Sequence, residues 1–470
     1  MITFAVEKMA KDLLLYIREG RPMSQREKLH LIVQLSIPSI LAQISSTVMF
    51  LIDASMVGHL GEKAMASIGL IETTTWLMGS LASAANLGFS VQVAHYIGAN
   101  DFEGARRVLR QSLLCCFIYG LVIALAGVAI HAVLPYWLGG SSDIAGDASM
   151  YFLIVSIGGI FFQIEGLAGS MLKCSGNMKV PSALNILMCV LDVVFNYMFI
   201  FMFGMGVKGA ALGTVCAELV TCVLMLYFLL YRSKELSLRG RPGSFRPRGD
   251  TVRTALKIGA PMGFQYALMN GAQIISTMIV APLGTVAIAA NSLAVTVESL
   301  CYMPGYGIAE AATTLVGQSI GAGQRLLTRS FARMSVGLGI AVMSFMGVLM
   351  FIFAPQLMSL MIESAEVIAE GATALRIEAF AEPFFAAAIV CNGVFVGAAD
   401  TLKPAIMNLT SMWGVRLTLA YWLSQSYDLR GVWTAMAIEL TFRGCIFLVR
   451  LFYGGWNREK ISNSTNSLTH

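Results

Sequence analysis

The sequence predicts an all-α integral membrane protein: twelve transmembrane helices in two parallel-repeat six-helix lobes around a central cavity. Three observations carry this reading. Of 470 residues, 57% are hydrophobic and only 13% charged, about half the charged share of an ordinary globular domain. The apolar residues form continuous runs long enough for helices of about 20 residues to cross a bilayer, without the alternation of a membrane barrel. The chain also repeats itself. A shift of 223 residues lays Pro38 on Pro261, Val57 on Val280, Leu60-Gly61 on Leu283-Gly284, Gly98-Ala99 on Gly321-Ala322, Pro181 on Pro404 and Asn185 on Asn408. One offset that holds from the first apolar run to the fifth gives both halves the same topology, related by an axis along the membrane normal.

In chain order, residues 1–30 are polar and basic, and the apolar spacing from Phe4 to Ile17 predicts a helix lying on the membrane face. Six spans follow near 31–57, 66–95, 107–133, 148–172, 181–203 and 209–231. Six more run near 254–281, 286–318, 329–354, 369–397, 404–426 and 432–454. The expected domains are therefore an N-lobe (31–231), a polar linker (232–253) holding Arg241-Pro242-Gly243 and Arg246-Pro247-Arg248, a C-lobe (254–454) and a tail (455–470). Lys and Arg set the orientation. Of the 32, 26 fall on the side of the two termini and the linker, against Lys63, Lys208, Arg376 and Arg430 on the other. The positive-inside rule places both termini in the cytoplasm, and the expected location is the plasma membrane of a prokaryote.

Composition excludes several classes. The net charge of +5 belongs to loops and builds no face for nucleic acid. Nine Cys lie in or beside apolar runs without metal-ligand spacing and read as free buried thiols, and five His form no metal motif. No Ser/His/Asp set marks an intramembrane enzyme. The partners expected are the lipid bilayer and small organic substrates, with no cofactor, for a chain acting as a monomer.

The stretch that stands out is Thr47 to Gly61, because Asp53 is the one charge in an apolar run from Leu31 to Val57. A charge at mid-bilayer costs about 2.5–3.5 kcal/mol and marks function by default. Asp192 and Asn196 share one face of span five at i, i+4, as do Ala210 and Thr214 on span six. Two carboxylates with neutral oxygens suit a hard cation such as Na⁺, and equally hold a proton. Further acids stand within spans; Glu298, Glu382 and Glu165 are the candidates to meet a cationic substrate.

These residues resemble a known family. Asp53-Ala-Ser-Met-Val-Gly-His-Leu-Gly61 is similar to the first-span signature of multidrug and toxic compound extrusion (MATE) transporters. So are Ala311-Ala-Thr-Thr-Leu-Val-Gly-Gln-Ser-Ile-Gly-Ala-Gly323 and Gly397-Ala-Ala-Asp-Thr-Leu-Lys-Pro404. The resemblance covers residues 30–455 and implies an antiporter exporting organic, often cationic, compounds against Na⁺ or H⁺. Pro38 stands where the family has a first-span proline linked to bending. The family's N-lobe cation site maps onto Asp53, Asp192, Asn196, Ala210 and Thr214, with the acid and amide of span five exchanged in order. Na⁺ would sit at Asp53, Asp192, Asn196 and Thr214. Where one subgroup carries a C-lobe acid pair, this chain has Met269 and Phe385, with Glu382 one turn from the latter. The alternative of a related fold is a flippase of lipid-linked intermediates, which calls for a basic cavity; few Arg or Lys lie inside the spans.

Overall fold

A computed structural model describes residues 13–457, and among them every regular element is helical. The long helices are α1 (Gln25–Gly58), α2 (Glu62–Gly98), α3 (Phe102–Ile130), α4 (Ser142–Cys174), α5 (Lys179–Tyr197), α6 (Val207–Tyr227), α7 (Gly249–Val280), α8 (Thr285–Gly321) and α9 (Arg325–Ser359). They are followed by α10 (Ala365–Ala379), α11 (Glu382–Gly397), α12 (Leu402–Leu409) and α13 (Leu417–Tyr453). Each expected span falls on one of these elements or on a joined pair.

Nine helical runs among the described residues are long and apolar enough to cross a membrane. One of them, Leu402–Tyr453, has 52 residues and is broken at Asp428, whose φ of 50° and ψ of −135° are not helical. It therefore holds two crossings. α10 and α11 form another, bent by 60°. The bend has a local cause: Pro383 opens α11, and its ring would collide with the Ala379 carbonyl four residues earlier in a continuous helix. α2, with 37 residues, supplies the twelfth.

Short-range chemistry fixes several helix ends. Ser24 and Glu27 form a reciprocal capping box at the start of α1, Ser24 N donating to Glu27 Oε2 at 2.7 Å and Glu27 N to Ser24 Oγ at 3.3 Å. Those bonds hold the exposed Glu27 carboxyl below its ordinary range. Asp101 caps α3 by accepting from Gly104 N at 2.8 Å. A π-helical turn, Met198–Met202, extends α5, and another, Thr410–Arg416, joins α12 to α13.

The chain divides into two compact units. One comprises Ile44–Gly263, here the N-unit; the other, the C-unit, takes the residues up to Gln43 together with those from Phe264 onward. Both cuts fall inside helices, α1 and α7, a short way beyond Pro38 and Pro261. The first half of α1 thus belongs to the C-unit and the first half of α7 to the N-unit. Packing follows the repeat. In the C-unit, Gly307 of α8 lies so close to α1 that a Cβ there would sit 2.7 Å from Ile40 N. In the N-unit, Ala84 of α2 touches Gly263 of α7. Ile40 and Gly263, like Ala84 and Gly307, are 223 residues apart.

Of the stretch Phe4 to Ile17, residues 4–12 lie outside the described residues. Residues 13–19 are helical, but Leu13, Leu14 and Ile17 are buried in protein, and the Ile17 carbonyl accepts from Gln324 Nε2. This part of the segment therefore turns its apolar side to the C-unit and not to lipid. Of the nine Cys, all are free thiols, and only Cys445 is exposed.

Candidate functional site

The N-unit site is built on three helices. Along α5, Asn185, Asp192 and Asn196 recur at i, i+7 and i+11, one face of a 3.6-residue helix. Along α1, Ser46 and Asp53 are also seven apart. The two faces meet through polar atoms. Ser46 Oγ donates to Asn185 Oδ1 at 3.0 Å. Three turns further along α5, Asn196 Nδ2 donates to Asp53 Oδ1 at 3.0 Å and to Asp192 Oδ2 at 3.1 Å. One amide nitrogen thus holds carboxylates from two helices within about 6 Å of each other, and the two also interact directly. Asp192 is 0% and Asn196 2% exposed, while Asp53 is half-buried.

α6 completes the site, meeting α5 at Asn196 and Asp192. Thr214 Oγ1 donates to the Ala210 carbonyl at 3.2 Å, and the Thr214 side chain also interacts with Asp192. The approach of α6 depends on Gly209-x-x-x-Gly213, small residues one turn apart that let helices touch through their backbones. A Cβ at Gly213 would fall 2.0 Å from Asn196 Oδ1 and 2.8 Å from Asn196 N. Backbone cannot yield as a flexible side chain can. The variant Gly213→Ala is therefore expected to push Asn196 off both carboxylates. It should cost about 1–3 kcal/mol of stability through overpacking and remove ion-driven transport. Unfolding in detergent and a vesicle transport assay, run together, check this; parental behaviour in both would show that α6 has room to spare.

All five residues expected at the cation site, Asp53, Asp192, Asn196, Ala210 and Thr214, are thus in one place. The donor set is oxygen-only in its acids, carbonyl and hydroxyl. Asp192 Oδ1 and Asn196 Oδ1 are buried with no hydrogen-bond partner, which is the arrangement a bound cation or a proton would complete. Among the described residues no group of three His, Cys, Asp or Glu side chains could hold a metal ion.

The other acids fall elsewhere. Glu165 of α4 is partly buried beside Glu218 of α6, in the same unit. Glu298 and Glu382 belong to the C-unit, at 6% and 0% exposure. There they are joined by Glu378, which sequence reasoning did not single out. Glu378 is 0% exposed and lies in electrostatic range of Glu298, Glu382, Glu439 and Arg416. Its signal was the i, i+4 spacing to Glu382 across the α10–α11 bend. None of the carboxylate oxygens of Glu378 and Glu382 has a hydrogen-bond partner. Met269 sits in an apolar cluster with Ala272, Met412 and Leu417. Phe385 packs its ring edge-on to Tyr302, 5.4 Å between centroids. Arg416 faces a cavity of about 20 Å³ with Gln273, Ser276, Asn291 and Trp433, room for about one water molecule. Pro38 lies within α1, two residues before Ile40 meets Gly307.

The family model for MatE matches this chain twice, at residues 38–198 and 261–422. The chain belongs to the MATE family. Each match begins on the proline that opens the repeat, so the internal symmetry is the family's own. MATE proteins are transporters, and this chain is a membrane transporter and not an enzyme. A protein of Thermotoga maritima named as a probable multidrug resistance protein, NorM, is 24% identical over 436 residues, covering 92% of this chain and 93% of its own. A crystal structure of MATE in complex with MaL6 superposes with a TM-score of 0.86 at 23% identity, over 93% of this chain and 96% of that one. A MOP superfamily transporter from Pyrococcus furiosus gives 0.85 at 24% identity, with the same coverage. At these identities the solved structures speak for the fold.

Proposed function

We propose that this MATE protein is a secondary antiporter that exports organic, often cationic, compounds in exchange for Na⁺ or H⁺. The observation that carries the reading is the Asn196 amide joining Asp53 to Asp192 inside an apolar unit, where among the described residues no Lys or Arg forms an ion pair with either. A cation or proton entering there changes the charge of a site assembled from separate helices. It biases the protein toward whichever state binds it better, by the difference in affinity and no more. The relatives support export of drugs, being named for multidrug resistance.

The Lys and Arg distribution supports termini in the cytoplasm of a plasma membrane. The buried C-unit acids Glu298, Glu378 and Glu382 are assigned to the cationic part of the substrate. A monomer suffices, because the ion site is complete within one chain. The intramembrane arginines favour no phosphate-bearing lipid: Arg443 is engaged by Glu439, and Arg416 lies in electrostatic range of the acids Glu298 and Glu378. The test is exchange in vesicles loaded with ethidium, a permanent organic cation. A Na⁺ or pH gradient is expected to drive its movement uphill. If neither gradient moves ethidium beyond its own equilibrium, antiport is the wrong mechanism.

A further inference from the structure

The small cavity of the C-unit has no part in the antiport reading. It is walled by Gln273, Ser276 and Thr277 of α7, Asn291 of α8, Arg416 of the π-helical turn and Trp433 of α13. None of the described residues that line it is acidic. What it offers is donors. An indole nitrogen can only donate, and Trp433 Nε1 gives its hydrogen to Asn291 Oδ1 at 3.0 Å. That bond orients the Asn291 amide and leaves both Nδ2 hydrogens turned away from the indole. Gln273 Nε2 and the Ser276 hydroxyl bring further hydrogens, while Thr277 Oγ1 spends its own on the Gln273 carbonyl at 3.1 Å.

Arg416 is the charged member of the wall. Among the described residues no acid forms an ion pair with it, and its hydrogen bond runs to the Met436 thioether, a weak acceptor without charge. Glu298 and Glu378 feel the guanidinium from outside the cavity, and neither lines it. A half-buried guanidinium in a membrane-spanning unit is costly unless a negative charge meets it. The repeat points the same way independently. Ser276 stands 223 residues after Asp53, Val415 after Asp192 and Leu419 after Asn196. The C-unit thus lacks both carboxylates and the amide of the N-unit site, and has Arg416 beside the position of Asp192. The two halves are built alike with opposite charge.

We propose that this cavity binds one small inorganic anion, chloride, among Arg416, Ser276, Gln273 and Asn291. Size selects the ligand. A cavity of about 20 Å³ takes one body the size of a water molecule. Chloride is little larger, whereas a phosphate group or the carboxylate of an organic compound is not accommodated. Gln273 and Thr277 are exposed and mark the mouth. Ser276 and Trp433, at 7% and 1% exposure, form the floor. Seated there, the anion neutralises the guanidinium and ties α7 and α8 to the turn that precedes α13.

The test uses the full chain, purified in detergent with gluconate as the only anion. Chloride then replaces gluconate at constant Na⁺ and ionic strength. It is expected to raise the thermal midpoint by about 2–4 °C at about ten times its dissociation constant. Arg416→Gln should show no such rise. Ser276→Asp supplies a tethered carboxylate beside the guanidinium and should unfold at one temperature in both salts. Crystals soaked in bromide locate the ion, with an anomalous peak expected in the parent's cavity and none in Ser276→Asp. Absence of the peak from the parent would mean that the cavity holds water alone, and overturns the site. A full-height peak in Ser276→Asp, or equal parental midpoints in the two salts, overturns it as well. If Arg416→Gln does not fold, Ser276→Asp decides. No readout here depends on transport, so the anion site and the antiport reading stand or fall separately.

Discussion

Asp53→Asn is expected to reduce gradient-driven export to the level of empty vesicles while the protein still folds and purifies as the parent does. The substitution keeps the size of the side chain and removes its charge. Asn196 already has Asp192 on the same amide nitrogen at 3.1 Å, so the α5 half of the site survives. What disappears is the second carboxylate, contributed by another helix. An ion that no longer discriminates between two states shifts neither of them, however tightly it binds. Asp53 is also half-buried and not in the packed core, so a large loss of stability is not expected. The measurement is ethidium exchange under a pH gradient and under a Na⁺ gradient, with monodispersity on a sizing column as the folding control. Parental exchange under either gradient, in well-folded protein, would remove Asp53 from the mechanism.

The second large effect concerns stability. In the C-unit, Arg443 Nε donates to Glu439 Oε1 at 2.7 Å, and an Nη lies 2.6 Å from the same oxygen. Ser411 Oγ donates to it as well. The two side chains are 9% and 0% exposed. Removing one member of such a buried pair leaves a carboxylate with a single hydroxyl for company, and typically costs about 3–5 kcal/mol. Arg443→Met should therefore unfold at markedly lower denaturant than the parent in mixed micelles. The double variant Arg443→Met with Glu439→Met should recover most of the loss, since a well-packed apolar pair avoids the desolvation of both ions. Equal stability of parent and single variant would mean that the pair is not held as ions.

Much of this was legible in the primary structure. Each crossing announced itself as an apolar run, and the repeat announced itself through identical residues at one offset. Asp53 was legible because a lone acid in hydrocarbon has no bland explanation, and Asp192 with Asn196 because i, i+4 spacing fixes a shared face. Glu378 was hidden for a physical reason. It follows Glu366, Glu370 and Arg376, so it reads as the wet end of a helix, yet it is 0% exposed. Gly213 was hidden too, since a missing side chain carries no hydropathy signal and its partner lies on another helix. Nor does hydropathy reveal that α1 and α7 change allegiance part-way along, because an apolar surface does not name what it packs against.

That change of allegiance has a consequence for how the molecule can be taken apart. The arginine-rich stretch Arg232–Asp250 lies wholly within Ile44–Gly263, so a protease nick there severs nothing that ties one body to the other. The only covalent ties are two rods of continuous helix, each weakened just upstream by an imino acid that withholds an amide hydrogen. The ties between the two units are thus a matched pair, one from each half of the repeat, and neither of them is the polar linker.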